Sequence, residues 1–221
     1  MLVEILVGLV VVAAITGIGF AWLERKVVAE AHARAEAALT EAFGASVHVD
    51  LRGRPILLHL ARRHLPSAHL FVRELPIRQG SAVLARLDVE LTGVHLPQRG
   101  SGGPITADAG RFVARLDEDQ AIALVELPPG ARILRLTQRG FRLASSLPGV
   151  RVDARLDIRD NALVVRPDRG LLTTLPWPPE LIVPLNRLPA GARIQQLRIE
   201  GRTLVISGAL DGQRLTERPG T

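Results

Sequence analysis

Between Ser81 and Leu96 apolar and polar residues alternate strictly, and this pattern limits the architecture more than any other feature of the chain. Val83, Ala85, Leu87, Val89 and Leu91 fall on one side, and Arg86, Asp88, Glu90 and Thr92 on the other. A period of two is the signature of a strand with one face buried and one in water. Val150–Ile158 repeats the arrangement, with Val150, Val152, Ala154, Leu156 and Ile158 set against Arg151, Asp153, Arg155 and Asp157. Strands this long, with a single apolar face, must cover that face with a helix, a second sheet or a ligand.

Other segments extend the β pattern. Ser46–Arg52, His69–Arg78, Ile105–Leu116, Ala131–Gln138 and Gly140–Leu147 read as strands. Asp160-Asn161 is a hairpin turn leading into Ala162–Arg166, and Glu200-Gly201 joins Ala192–Ile199 to Thr203–Leu210. Two helices precede most of the strands. One covers 24–43 and carries an Ala-rich stripe ending at Gly44. The second is opened by Pro55 and runs from Ile56 to about Leu65, with Pro66 as its stop. A short third helix begins at Asp117-Glu118-Asp119, whose acidic residues suit a helix start, and reaches Leu127 before Pro128-Pro129. The expected fold class is α+β: an N-terminal transmembrane helix, then a highly curved, mostly antiparallel sheet with two to three helices packed across it. The divisions are 1–23 as anchor, 24–43 as amphipathic helix, 44–212 as β-rich domain and 213–221 as a polar tail.

The anchor is read from Ile5–Leu23, where no charged residue occurs. That run is close to the roughly 20 residues needed to cross a bilayer. No Lys or Arg precedes it, which disfavours a cleaved signal peptide. Arg25 and Lys26 follow it, and taken alone these charges place the domain in the cytoplasm.

The sequence offers little for catalysis. There are no cysteines, which excludes disulfides, thiolate nucleophiles and thiolate metal sites. No serine sits in a G-x-S-x-G elbow, and Gly100-Ser101-Gly102-Gly103 lacks the residues of a phosphate loop. His59 and His64 are spaced five apart, which is wrong for two ligands on one helical face. An enzyme, a metal site and a cofactor are therefore not expected. The net charge of +6 comes almost wholly from arginine, since Lys26 is the only lysine. No long basic run and no interleaved aromatic set accompanies it, so nucleic acid is not an expected partner.

Four segments together carry a resemblance. Val47–Leu60 reads VHVDLRGRPILLHL, a strand, a Gly and a Pro-led helix. Ala82–Val94 runs up to a Gly-Val, Asp117–Leu127 is a short acidic-started helix, and Leu188-Pro189-Ala190-Gly191 precedes the final hairpin. In this order they resemble the actinobacterial LmeA-like phospholipid-binding family over roughly 44–212. Ile56 stands where that family has an aromatic residue after the helix-opening Pro. The resemblance implies a fold related to tubular lipid-binding domains, a phospholipid or related lipid as partner, and a single-pass position in the plasma membrane with the domain on the extracytoplasmic side of the cell envelope. It also implies a link to envelope lipid or glycolipid assembly. On this reading Leu57, Leu60, Val83, Leu87, Val89, Leu91, Val152, Leu156 and Ile158 line an acyl-chain groove, and Arg62 and Arg63 meet the head-group phosphate. The alternative is a tethered structural or interaction domain in which the same residues form a closed core.

Overall fold

The computed structural model describes residues 44–52, 56–76, 83–96, 106–145, 150–168, 178–185 and 192–214, together with 26, 28–30, 32–33, 35–37 and 39–40 of an N-terminal helix. The expected membrane span, 5–23, lies outside the described residues, and among those described no helix is long and apolar enough to cross a membrane. The helical residues within 26–40 are α1. They are followed by β1 (Ser46–Arg52), α2 (Ile56–Ala61), β2 (His64–Pro76), β3 (Val83–His95), β4 (Thr106–Asp117) and α3 (Glu118–Ala123). Then come β5 (Ala131–Thr137), β6 (Gly140–Ser145), β7 (Arg151–Arg159), β8 (Ala162–Pro167), β9 (Leu181–Pro184), β10 (Ala192–Glu200) and β11 (Thr203–Arg214).

The strands form two sheets rather than the one expected. Six are ordered β1-β2-β3-β4-β11-β10 and curl into a half-barrel; the other five follow chain order, β5 to β9. All the registered pairs are antiparallel. The alternation in β3 sorts its two faces as its pattern requires: Leu87, Val89 and Leu91 are buried while Arg86, Glu90 and Thr92 are exposed.

Register aligns the inward residues into three rows that cross all six strands. One is Val47, Val72, Leu87, Ala114, Ile206 and Leu197. The next is Val49, Leu70, Val89, Phe112, Gly208 and Ile194, and the third is Leu51, Ala68, Leu91, Gly110, Leu210 and Ala192. Small residues recur in these rows, and they let the strands coil tightly about the inner face. At Gly208 the space is already taken: a Cβ there would stand 2.2 Å from the Arg193 carbonyl oxygen and 2.6 Å from the Phe112 ring.

The helices and turns follow local chemistry. Gln120 reaches back to accept the Asp117 N–H at 3.0 Å, as in a capping box, and also accepts the Ala85 N–H at 3.2 Å. This joins α3 to β3. Asp160 and Asn161 both take left-handed φ values, 52° and 60°, as a two-residue primed hairpin turn requires.

Several expected boundaries move. The second helix stops at Ala61, not near Leu65, and Pro66 lies inside β2. A proline disfavours helix at the residue before it and clashes with the carbonyl four residues back, here Arg62. His64 and Leu65 pair with β3 alone and β1 pairing starts at Ser67, so Pro66 between them lacks its N–H at an edge-like position where this is tolerated. The third helix ends at Ala123 rather than Leu127, and β11 continues to Arg214, into the expected tail. The four-residue β9, hidden among prolines, has too short a pattern to stand out.

Side chains close both edges of the six-stranded sheet. On β1 the Glu36 carboxylate of α1 accepts the Val49 N–H at 3.0 Å and lies 2.6 Å from His48 Nδ1. On β10 the Asn161 amide donates to the Ala192 carbonyl at 2.8 Å and accepts the Ile194 N–H at 2.9 Å. Each mimics one rung of a missing neighbour strand, covering groups that would otherwise template pairing with another chain.

Candidate functional site

Three features bear on function: the apolar interior, a basic cleft beside α3, and the end of the sheet where α2 lies. The interior is aliphatic. Leu87, Val89 and Leu91 are each under 5% exposed and belong to one core that spans both sheets, with Leu143, Ala154, Leu163 and Val165 from the second. Val152 is equally buried, Leu156 packs half-buried against that core, and Ile158 is half-buried near the tip of β7. Of the nine residues expected to line one groove, the seven on strands therefore divide between two sheets, β3 in one and β7 in the other. Leu57 and Leu60 fall on α2 and Val83 opens β3, but their side chains lie outside the described residues.

The cleft beside α3 has a volume of about 800 Å³ and is lined by charge of both signs. Arg142 forks onto Asp153 at 2.7 and 3.0 Å, and Arg155 meets Asp168 at 3.2 Å. Glu118, buried, accepts the Leu136 N–H at 2.7 Å and pairs with Arg202 from the β10–β11 turn. The Leu136 hydrogen bond, with the Arg202 guanidinium, holds its carboxyl below the usual range even though burial opposes this. The hydrogen bond from Arg142 does the same for Asp153. These carboxylates stay ionised near neutral pH and serve as fixed charges. Arg135, in the same cleft, adds a favourable charge interaction to both Glu118 and Asp153. The alternating pattern hid this cleft, because its residues come from a helix, two hairpin turns and three strands that are far apart in sequence.

The third feature gathers Leu58, Arg62, Arg63, His64 and His95. Arg62 N–H donates to the Leu58 carbonyl at 3.0 Å, continuing the last turn of α2. Arg63 then takes a left-handed φ of 55°, and its carbonyl accepts the Leu96 N–H at 2.9 Å. Both arginines are exposed, and Leu58 beside them is 43% exposed. His64 and His95 face each other across the β2–β3 ladder with Nδ1 atoms 3.4 Å apart, and Asp108 holds the far nitrogen of His95 at 3.1 Å. Gly93 makes room for that carboxylate: its φ is 61°, and a Cβ there would lie 2.0 Å from Asp108 Oδ2. Among the described residues no group of three or more His, Asp or Glu could hold a metal ion.

Against this geometry, a family model described as LmeA-like phospholipid-binding matches residues 20–209. The chain belongs to the LmeA-like phospholipid-binding family. The match runs from before α1 into β11, so both sheets and the edge-sealing helix fall within the family's unit. No curated protein and no solved structure matched the chain.

Proposed function

We propose that this LmeA-like protein binds phospholipid or a related lipid, with acyl chains against the aliphatic inner face of the half-barrel and phosphate toward Arg62 and Arg63. Residues 5–23 anchor it in the plasma membrane, the domain stands on the extracytoplasmic side, and its work serves envelope lipid or glycolipid assembly. The observation that carries the reading is the family match over 20–209. The inner rows support it chemically: apart from Phe112 and two glycines they are aliphatic across six strands, and burying a CH₂ group there is worth roughly 0.8 kcal/mol.

Native mass spectrometry with lipid extraction tests it. The fragment should start at Glu24, because α1 seals the β1 edge and supplies Leu39 to the core. Phospholipid retained at near one per chain is the expected result. An apo mass that persists after exposure to liposomes would leave the closed, tethered domain as the better account. An arginine at Leu87 is a poor test, since that side chain is 2% exposed between Val72 and Ala114 and a charge there attacks folding itself.

A further inference from the structure

We infer that the α2 end of the six-stranded sheet is the surface that rests on the bilayer, with Leu58 entering the interface and Arg62 and Arg63 meeting anionic phospholipid head groups. This rests on the membrane reading above and adds which end of the molecule faces the lipid.

Register defines the two ends. At one lie Arg52, His64, His95, Thr106 and Arg214, where β1, β3 and β11 finish and β2 and β4 begin. At the other lie Ser46, Pro76, Asp117 and Thr203, together with α3 and the basic cleft. The path of α1 shows at which end the helix begins. The chain turns at Gly44, whose N–H donates to the Thr40 carbonyl at 2.9 Å, and Glu36 then contacts His48 and Val49. From Gly44 to Glu36 is about 12 Å of helix. From Gly44 to His48 is about 13 Å of strand. The rises match, so α1 returns antiparallel along β1. Continued to Lys26 the helix covers about 27 Å; continued to Arg52 the strand covers about 26 Å. Lys26 therefore stands level with Arg52, so the described start of α1 lies at the α2 end.

The side chains at that end suit the occupant. Leu58 and Arg62 are four residues apart on one helical face, an exposed apolar residue beside an exposed cation. Of the carboxylates toward that end, Asp50 is engaged by Arg52 at 3.2 Å, Asp108 by His95 at 3.1 Å and Asp211 by Arg193 at 3.1 Å, while Glu90 sits level with Asp50, farther from the end than Arg52. Neither Arg62 nor Arg63 has a carboxylate partner among the described residues. An apolar residue flanked by unneutralised arginines matches an anionic interface, where each cation contributes to binding.

The absence of cysteine allows single-site labelling. The full chain, carrying L58C or, at the far cleft, Q138C, is labelled with an environment-sensitive fluorophore. It is then reconstituted in phosphatidylcholine vesicles containing quencher-bearing lipid, with and without phosphatidylglycerol. The L58C label should be quenched with phosphatidylglycerol present, and the Q138C label should not. R62E combined with R63N, where asparagine tolerates the left-handed backbone, should reduce the ratio of docked to undocked molecules by at least about thirtyfold, the figure for losing two cations. Quenching at Gln138, no quenching at Leu58, or quenching at Leu58 indifferent to anionic lipid and to the arginines would each overturn the inference. Lipid counting by native mass spectrometry on the same proteins separates the readings. Retained phospholipid with an unquenched Leu58 label removes only the docking surface; no retained phospholipid in any of them removes the lipid-binding reading.

Discussion

Replacing Glu118 is the sharpest test of how the two sheets are joined. The side chain is 8% exposed, and one carboxylate oxygen accepts the Leu136 N–H of β5 at 2.7 Å. Glu118→Ala leaves that donor without an acceptor, a cost of about 1–3 kcal/mol. The Arg202 side chain is 82% exposed, so the ion pair adds little. The expected loss is about 2 kcal/mol, which for a chain of this size lowers Tm by about 4–8 °C. Glu118→Gln keeps an acceptor oxygen and should lose about 1 kcal/mol or less. Acid provides a second check. The folded pKa lies below the ordinary value of 4.5, so the charge-dependent stabilisation is complete above that value and is lost as pH falls through the folded one. Thermal unfolding by circular dichroism should therefore show wild type and E118Q converging in acid. Equal losses for Ala and Gln at neutral pH, or a wild-type to Gln gap that acid does not narrow, would refute the argument.

Three further outcomes are expected. Phe112→Ala, at 1% exposure in the second inner row, should cost about 3–5 kcal/mol by chemical denaturation. Gly208→Ala should destabilise the chain, and Phe112→Leu should not rescue it in a double variant, because the Arg193 carbonyl remains 2.2 Å from the added carbon. Asn161→Gly keeps the turn conformation but removes two hydrogen bonds to β10; it should cost about 1–3 kcal/mol and raise concentration-dependent association in light scattering.

Period-two alternation makes most of the half-barrel legible, and the residues of β3 and β7 alone assign those strands face by face. The division into two sheets is not legible, because a strand's own pattern says which face is buried but not which strand lies beside it. Helix ends escape where proline acts at a distance, as Pro66 does on Arg62. The arginines beside α2 are readable as exposed cations. Glu118 is readable only as part of an acidic helix start, since its partners Leu136 and Arg202 lie 18 and 84 residues away. The edge-sealing residues Glu36 and Asn161 carry no motif; their role comes from where the fold delivers them.

The antiparallel lay of α1 along β1 also has a mechanical meaning. Tension applied at Lys26 runs parallel to the strand, so the β1–β2 ladder, registered from Ser46↔Arg73 to Arg52↔Ser67, is loaded in shear. In shear all the rungs share the force at once, whereas peeling would break them one by one. Under force applied at the start of α1, the strand nearest the point of attachment would then yield last.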